Sequence, residues 1–314
     1  VGTQFDPVRI PRHPQRPLFG EKKSGEWQWM TYATFKEQVD NLRSGLAGLG
    51  VIAGDRVAVI SNNRAEWAVG AYATYTLGAA YVPMYEAQHD KEWAYILKDC
   101  GAKVVFVANE KLAKRVEALR PELPALEHVI AYTGSDTEAG TLASLLRRGA
   151  ETPAPLFKPE KTDLAGLIYT SGTTGNPKGV KLSHHNMAAN VSAIHEKLPL
   201  GPDDRSLSFL PWAHSFGQTV ELHGLFSMGA SLAICEAVDK IIDNLAETQP
   251  TLLFSVPRIF NKLYSGVQKT ISEKPEMIQK MVKSALATRA KQRSGGEVSL
   301  GEGLVLALTD KVVF

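Results

Sequence analysis

The segment Tyr169-Thr170-Ser171-Gly172-Thr173-Thr174-Gly175-Asn176-Pro177-Lys178-Gly179 gathers the residues best suited to chemistry. It holds three Thr, one Ser and three Gly directly after an apolar run at 164–169. Hydroxyls and unhindered backbone N–H groups are what an oxyanion-rich ligand requires, and Gly permits close approach. Lys178 adds a point charge suited to phosphate, and Pro177 stiffens the chain just before it. These features read as a loop that wraps nucleotide phosphates and restrains a pyrophosphate leaving group. A Walker A loop requires GxxxxGK followed by Ser or Thr. Here Lys178 stands between Pro177 and Gly179, so that pattern fails. A flexible Gly/Ser linker is a poor match as well, because it would not emerge from an apolar strand and end in Pro-Lys-Gly.

Such a loop needs a rigid frame. The pattern predicts a helix over 31–49, where Phe35, Val39, Leu42, Leu46 and Leu49 recur at steps of three and four. Thr31 can cap its start and Gly50 its end. Short apolar runs at 56–61, 79–84, 103–108 and 128–132 read as strands, alternating with helical patterns at 67–77, 91–100 and 110–120. That alternation indicates βαβ units and parallel sheet, hence the α/β class. Residues 1–30 read as an extended leading segment. The polar stretch 134–163 reads as loops around a short helix at 142–148, and is the best candidate for an internal boundary. Beyond it, strands are expected at 164–169, 205–210, 230–235 and 251–256. Helices are expected at 183–197 (with Ser183 as N-cap), 214–227, 239–248 and from 257 onward.

Composition narrows the classes. The 314 residues suffice for one large domain or two smaller ones. With 44% hydrophobic and 22% charged residues the chain is an ordinary globular sequence. A formal charge of +2 gives no electrostatic footprint for nucleic acid. The two cysteines, Cys100 and Cys235, form neither a disulfide scaffold nor a CxxC start to a zinc site. They read as small buried hydrophobes in a reducing, cytoplasmic setting. No basic-then-apolar leader and no run of ~20 apolar residues is present. The absence of an initiator Met leads us to expect that residues before Val1 have been trimmed.

The string YTSGTTGNPKGV resembles the phosphate-binding signature of the adenylate-forming superfamily: acyl-CoA synthetases, luciferases and peptide-synthetase adenylation domains. Trp29-Met30-Thr31-Tyr32 before a helix looks like that family's opening motif, and Gly78-Ala79-Ala80-Tyr81-Val82-Pro83 like its second. The resemblance covers nearly the whole chain. It implies a large N-terminal domain of predominantly parallel sheets flanked by helices. It also implies a reaction in two steps: a carboxylate attacks ATP to give an acyl-adenylate and pyrophosphate, and a thiol, coenzyme A, then displaces AMP. Thr170, Ser171, Gly172, Thr173, Thr174, Gly175 and Lys178 would bind the nucleotide. Thr170 would help hold Mg²⁺, and Lys178 would act catalytically.

Leu210-Pro211-Trp212-Ala213-His214-Ser215-Phe216-Gly217-Gln218 is similar to the segment lining the family's acyl pocket. By that likeness Trp212, His214, Phe216 and Gln218 would contact the acid, with His214 near its carboxylate and catalytic. The stretch 249–264 resembles the long-chain fatty acid branch. That branch commonly shows His-Val and then Phe-Glu-Arg, whereas this chain has Ser215-Phe216-Gly217-Gln218, so acyl chain length stays open. Aryl-CoA ligase, acyl-AMP ligase, peptide-synthetase module and non-catalytic ATP-binding module are the alternatives.

Blander readings stand beside these. Taken alone, His214 near a helix start is a cap or core histidine. Trp212, Phe216 and Leu222 read equally as core or as pocket lining. His184 and His185 read as a solvent-facing or capping pair, and Arg258 as structural. The basic run 262–293 carries an apolar stripe of Ile278, Met281, Val282, Ala285 and Leu286. Such a helix either packs its stripe on protein or makes weak peripheral contact with an anionic membrane. The family's acidic metal-binding motif, ribose-binding Asp and small C-terminal domain with its catalytic Lys find no match here. We therefore expect 1–314 to be an incomplete N-terminal domain, weakly active or inactive alone.

Overall fold

The computed structural model describes residues 14–171, 175–296, 298–299, 301–304, 306 and 309. Of the leading segment, read as merely extended, residues 1–13 lie outside the described residues, and the rest forms a hairpin of β1 (Pro17–Lys23) and β2 (Glu26–Thr31). Ser24 and Gly25 at its tip both take positive φ, 52° and 86°, the two-residue turn whose twist suits a hairpin. Then follow α1 (Tyr32–Gly48), β3 (Arg56–Ile60), α2 (Ala65–Tyr75), β4 (Ala80–Met84), α3 (Asp90–Cys100), β5 (Val104–Val107), α4 (Glu110–Leu119), β6 (His128–Ala131) and α5 (Leu142–Glu151). Thr31 caps α1 as expected, its Oγ1 accepting from Thr34 N at 3.1 Å. Next come β7 (Leu164–Thr170), β8 (Lys178–Ser183), α6 (His184–Lys197), β9 (Arg205–Ser208), a π-helix (Gly217–Gly224), α7 (Leu225–Met228), β10 (Ser231–Ile234) and α8 (Ile241–Thr248). α9 (Pro257–Ser272) and α10 (Glu276–Arg293) follow.

Two sheets result. One has six strands in the order β6-β5-β3-β4-β7-β8, parallel except for the antiparallel β7–β8 pair. The other has four, β2-β1-β10-β9, in which β1, β10 and β9 run parallel. In the larger sheet the side chains alternate between two cores. Val57, Val59, Tyr81, Val104 and Phe106 enter the core shared with the smaller sheet, whereas Ala58, Ile60, Val82, Val105 and Val107 pack on the face that holds Trp93, Ile96 and Leu97 of α3. A strand buried on both faces is apolar at every position, which is why these strands read as continuous runs. Every residue of α2 except Glu66 is buried, as befits a helix enclosed on all sides.

The expected strand at 251–256 does not form. Leu252 makes a single parallel bridge to Ser206, and the segment lies between Pro250 and Pro257, which cannot donate to a ladder. The expected helix at 214–227 is largely the π-helix. The polar stretch 134–163 contains α5, which packs on α1 so closely that a Cβ on Gly149 would stand 1.8 Å from the Asn41 carbonyl oxygen.

The chain divides into two compact units, 1–254 and 255–314. Within the second, α10 turns Val282, Ala285 and Thr288 inward, with Ile278 and Met281 half-buried and Leu286 exposed. The central part of the apolar stripe is thus packed against protein. No helix among the described residues is long and apolar enough to cross a membrane.

Candidate functional site

β7 carries the segment from the core to its carboxyl end. Ala165, Gly166, Leu167 and Ile168 are buried, while Thr170 and Ser171 are exposed. The chain then returns as β8, an edge strand hidden from sequence reading by the polar loop before it. Its register sets Thr170 opposite Lys178 and Tyr169 opposite Gly179. The loop is therefore pinned at both ends by one pair of strands, with Thr170 and Lys178 paired at its base. Gly175 has φ +111°, a conformation that excludes most other residues. Gly172, Thr173 and Thr174 lie outside the described residues. Below the loop Tyr169 Oη donates to Asp99 of α3 at 2.5 Å, and burial together with that carboxylate raises its pKa. Its ring lies over Gly179, where a Cβ would come within 3.0 Å of it.

The second group of expected residues lies beyond the carboxyl end of β9. His214 is exposed and closes a turn. Its N–H donates to Pro211 O at 3.1 Å, its carbonyl accepts from Gln218 N at 3.0 Å, and its Nδ1 accepts from Phe216 N at 3.2 Å. With Nδ1 occupied as an acceptor, the other ring nitrogen is left as the N–H donor. Phe216 is 42% exposed. Trp212 points the other way: it is wholly buried, 5.7 Å from the rings of both Phe19 and Trp67, with its indole N–H on Ser208 Oγ at 3.0 Å. Gln218 is 2% exposed and donates from Nε2 to Tyr75 Oη at 3.3 Å. The turn thus presents His214 and Phe216 outward and sinks Trp212 and Gln218 into the fold.

Sequence reading missed the residue that holds this turn. Asn63 follows β3 and reaches across to the smaller sheet. Its Oδ1 accepts from Trp212 N at 2.8 Å, and its Nδ2 donates to Leu210 O at 2.8 Å. The signal was a polar Ser61-Asn62-Asn63 turn at the carboxyl end of a buried strand, the edge at which α/β sheets bind ligands. Also missed was the buried polar content of the π-helix. Glu221 is fully buried and accepts hydrogen bonds from Ser206 and Ser208; burial pushes its carboxyl up to about 8. His223, fully buried with Nδ1 3.0 Å from Tyr72 Oη, is pushed down to about 3 by burial and by nearby His184. His184 itself is half-buried, edge-on to Tyr75 with ring centroids 5.9 Å apart, and its pKa is lowered by desolvation; His185 is exposed.

α6 connects the two regions. Ser183, the last residue of β8, caps it in reciprocal hydrogen bonds with Asn186, and His195 near its end lies 2.8 Å from Ser227 Oγ of α7. Among the described residues no group of three His, Cys, Asp or Glu could hold a metal ion. The single hydroxyl of Thr170 suits a Mg²⁺ that keeps its waters and arrives on phosphates. Burial pushes both thiols up to about 11; Cys100 is buried as expected, whereas Cys235, just after β10, is only half-buried and is not the core residue the sequence suggested.

Known proteins resemble this chain in sequence and fold. A long-chain fatty acid–CoA ligase of Mycobacterium bovis is 34% identical over 264 residues, which is 82% of this chain and 43% of that protein. The inhibitor-bound N-terminal domain of FACL13 from Mycobacterium tuberculosis superposes with a TM-score of 0.70 at 28% identity, covering 79% of this chain and 61% of that one. ATP-bound MatB from Rhodopseudomonas palustris does so with a TM-score of 0.69 at 25% identity, covering 81% and 48%. The chain spans a little under half the length of the curated relatives it matches. The AMP-binding enzyme family matches residues 8–308, and this chain belongs to it.

Proposed function

We propose that the polypeptide carrying these residues activates a fatty acid with ATP and transfers it to coenzyme A. The observation that carries this reading is the 170–178 loop, closed by the Thr170–Lys178 pairing at the carboxyl end of β7. It is supported by similarity to a long-chain fatty acid–CoA ligase over most of the chain. In the first step a carboxylate oxygen bonds to the α-phosphorus as the bond to the β-phosphate oxygen breaks, releasing pyrophosphate. In the second a thiolate attacks the acyl carbon and AMP departs. The chain's contribution is to orient the phosphates and stabilise charge as it moves toward the leaving group.

Lys178, Thr170, Ser171 and Gly175, with Gly172, Thr173 and Thr174, form the phosphate loop in this reading. Mg²⁺ bound with the nucleotide would take one oxygen from Thr170. His214 offers its second ring nitrogen to the substrate carboxylate, and Phe216 lies beside the acyl chain. Trp212 and Gln218, being buried, shape the turn from beneath. A cytoplasmic setting belongs to this proposal, on the strength of two unpaired thiols.

ATP–pyrophosphate exchange, with the native polypeptide and a panel of short, medium and long fatty acids, aryl acids and amino acids, tests it. Exchange that depends on a fatty acid and ranks chain lengths is the expected result. Exchange only with an aryl or amino acid overturns the substrate, and none with any acid overturns the activity.

A further inference from the structure

Glu221 is a buried titratable group that the reaction above does not use. Packing alone does not call for it. Burying a carboxyl carries a desolvation cost that an apolar side chain of similar volume would avoid. Its two oxygens are taken separately, Oε1 by Ser206 Oγ at 2.9 Å and Oε2 by Ser208 Oγ at 2.7 Å. Those serines are two apart on β9 and so share a face. Ser208 Oγ in turn accepts the Trp212 indole N–H at 3.0 Å. Trp212 is the residue whose main chain Asn63 holds, and the turn it belongs to ends in His214. A continuous set of hydrogen bonds therefore runs from the middle of the π-helix to the segment that presents the imidazole. The π-helix returns to the same turn through Gln218 N on His214 O.

We propose that Glu221 is a positioning residue for His214: through Ser208 and Trp212 it fixes the 210–214 turn in the orientation in which the imidazole meets the substrate carboxylate. This rests on the acyl-adenylation reading. An apolar residue at 221 would fill the space and leave Ser206 and Ser208 without their acceptor. Ser208 would then be free to turn away from the indole, and the turn would lose its fixed register. A glutamine keeps an acceptor for one serine and a donor for the other.

Hydrogen–deuterium exchange and steady-state kinetics on Glu221→Leu, Glu221→Gln and Ser208→Ala test the proposal. Peptides spanning 210–218 exchange faster in Glu221→Leu and Ser208→Ala, while those over 164–170 match wild type. In ATP–pyrophosphate exchange the same two variants raise the KM for the acid about tenfold, the scale expected of a small misplacement. Their KM for ATP is unchanged, and Glu221→Gln stays within about threefold of wild type in both. Ser208→Ala, a smaller change, decides the matter if Glu221→Leu does not fold. Unchanged protection over 210–218, faster exchange with an unaltered acid KM, or an equal rise in KM for ATP overturns the proposal. Absence of exchange activity in wild type instead overturns the acyl-adenylation reading, while the protection data still report on the turn.

Discussion

Asn63 Oδ1 accepts the main-chain N–H of Trp212 at 2.8 Å, joining the carboxyl end of β3 in one sheet to the segment after β9 in the other. The same side chain donates to Leu210 O, so one amide satisfies two backbone groups. Asn63→Ala leaves both without their partner. Each such loss costs about 1 kcal/mol or more, so a destabilisation of about 2 kcal/mol is expected in urea denaturation. A value under about 0.5 kcal/mol would show that water replaces the amide at no cost.

Lys178 pairs with Thr170 at the base of the loop. Lys178→Ala should lower the ATP–pyrophosphate exchange rate by about 10²-fold, the usual effect of removing one charge-stabilising donor. The KM for the acid should hold, because the loss falls on the phosphates. An unaltered exchange rate would remove Lys178 from the phosphate loop.

Two buried groups in the π-helix titrate in opposite directions. Glu221, raised from 4.5 to about 8, binds its proton more tightly in the folded state, so its contribution to stability is complete at low pH and is lost as pH rises toward 8. His223, lowered from 6.5 to about 3, stays neutral when folded, so its contribution is complete above 6.5 and is lost as pH falls toward 3. Between about 4.5 and 6.5 the two slopes cancel, which predicts a plateau with stability falling on either side. Glu221→Gln should abolish the fall on the alkaline side and turn the plateau into a rise that continues to about pH 6.5, where His223 alone titrates. Denaturation midpoints measured from about pH 3 to about pH 9, spanning both titrations, check this.

Gly149 and Gly48 make a matched pair of opposite sign. A Cβ at Gly149 meets backbone of α1, whereas one at Gly48 meets nothing within 4 Å. Gly149→Ala should cost about 3 kcal/mol through forced separation of α1 and α5. Gly48→Ala, at the end of α1, should gain up to about 1 kcal/mol from helix propensity. Thermal unfolding of the two variants would distinguish them at once.

Much of the larger sheet was legible because its strands are buried on both faces, so that runs such as Val104–Val107 announce themselves without alternation. β2 was not, since Glu26 and Gln28 alternate with half-buried Trp27 and Trp29 at a sheet edge and the whole segment looks merely polar. β8 was hidden in the same way: Lys178, Val180 and Lys181 are exposed, and only the pairing to β7 makes it a strand. At the site the hydroxyl-rich loop declared its chemistry through residue type. Asn63 did not, because its role depends on a residue far along the chain, and the pull of Trp212 inward follows from aromatic packing that no local pattern encodes. The π-helix could not be anticipated either, since its i→i+5 bonding leaves the apolar residues out of step with the 3.6-residue period used to find helices.

That bonding pattern makes chain length, and not only residue identity, part of what specifies the turn. A π-helical segment accommodates more residues per turn than an α-helix between the same two ends. Excising Thr219 or Val220 would break the i→i+5 spacing and shift Glu221 along and around the helix relative to the serines of β9. Glu221, Ser206 and Ser208 would still be present in the sequence, but the carboxyl would be displaced from the two hydroxyls. A scan by substitution alone cannot detect a requirement of this kind; a one-residue deletion series through 217–224 can.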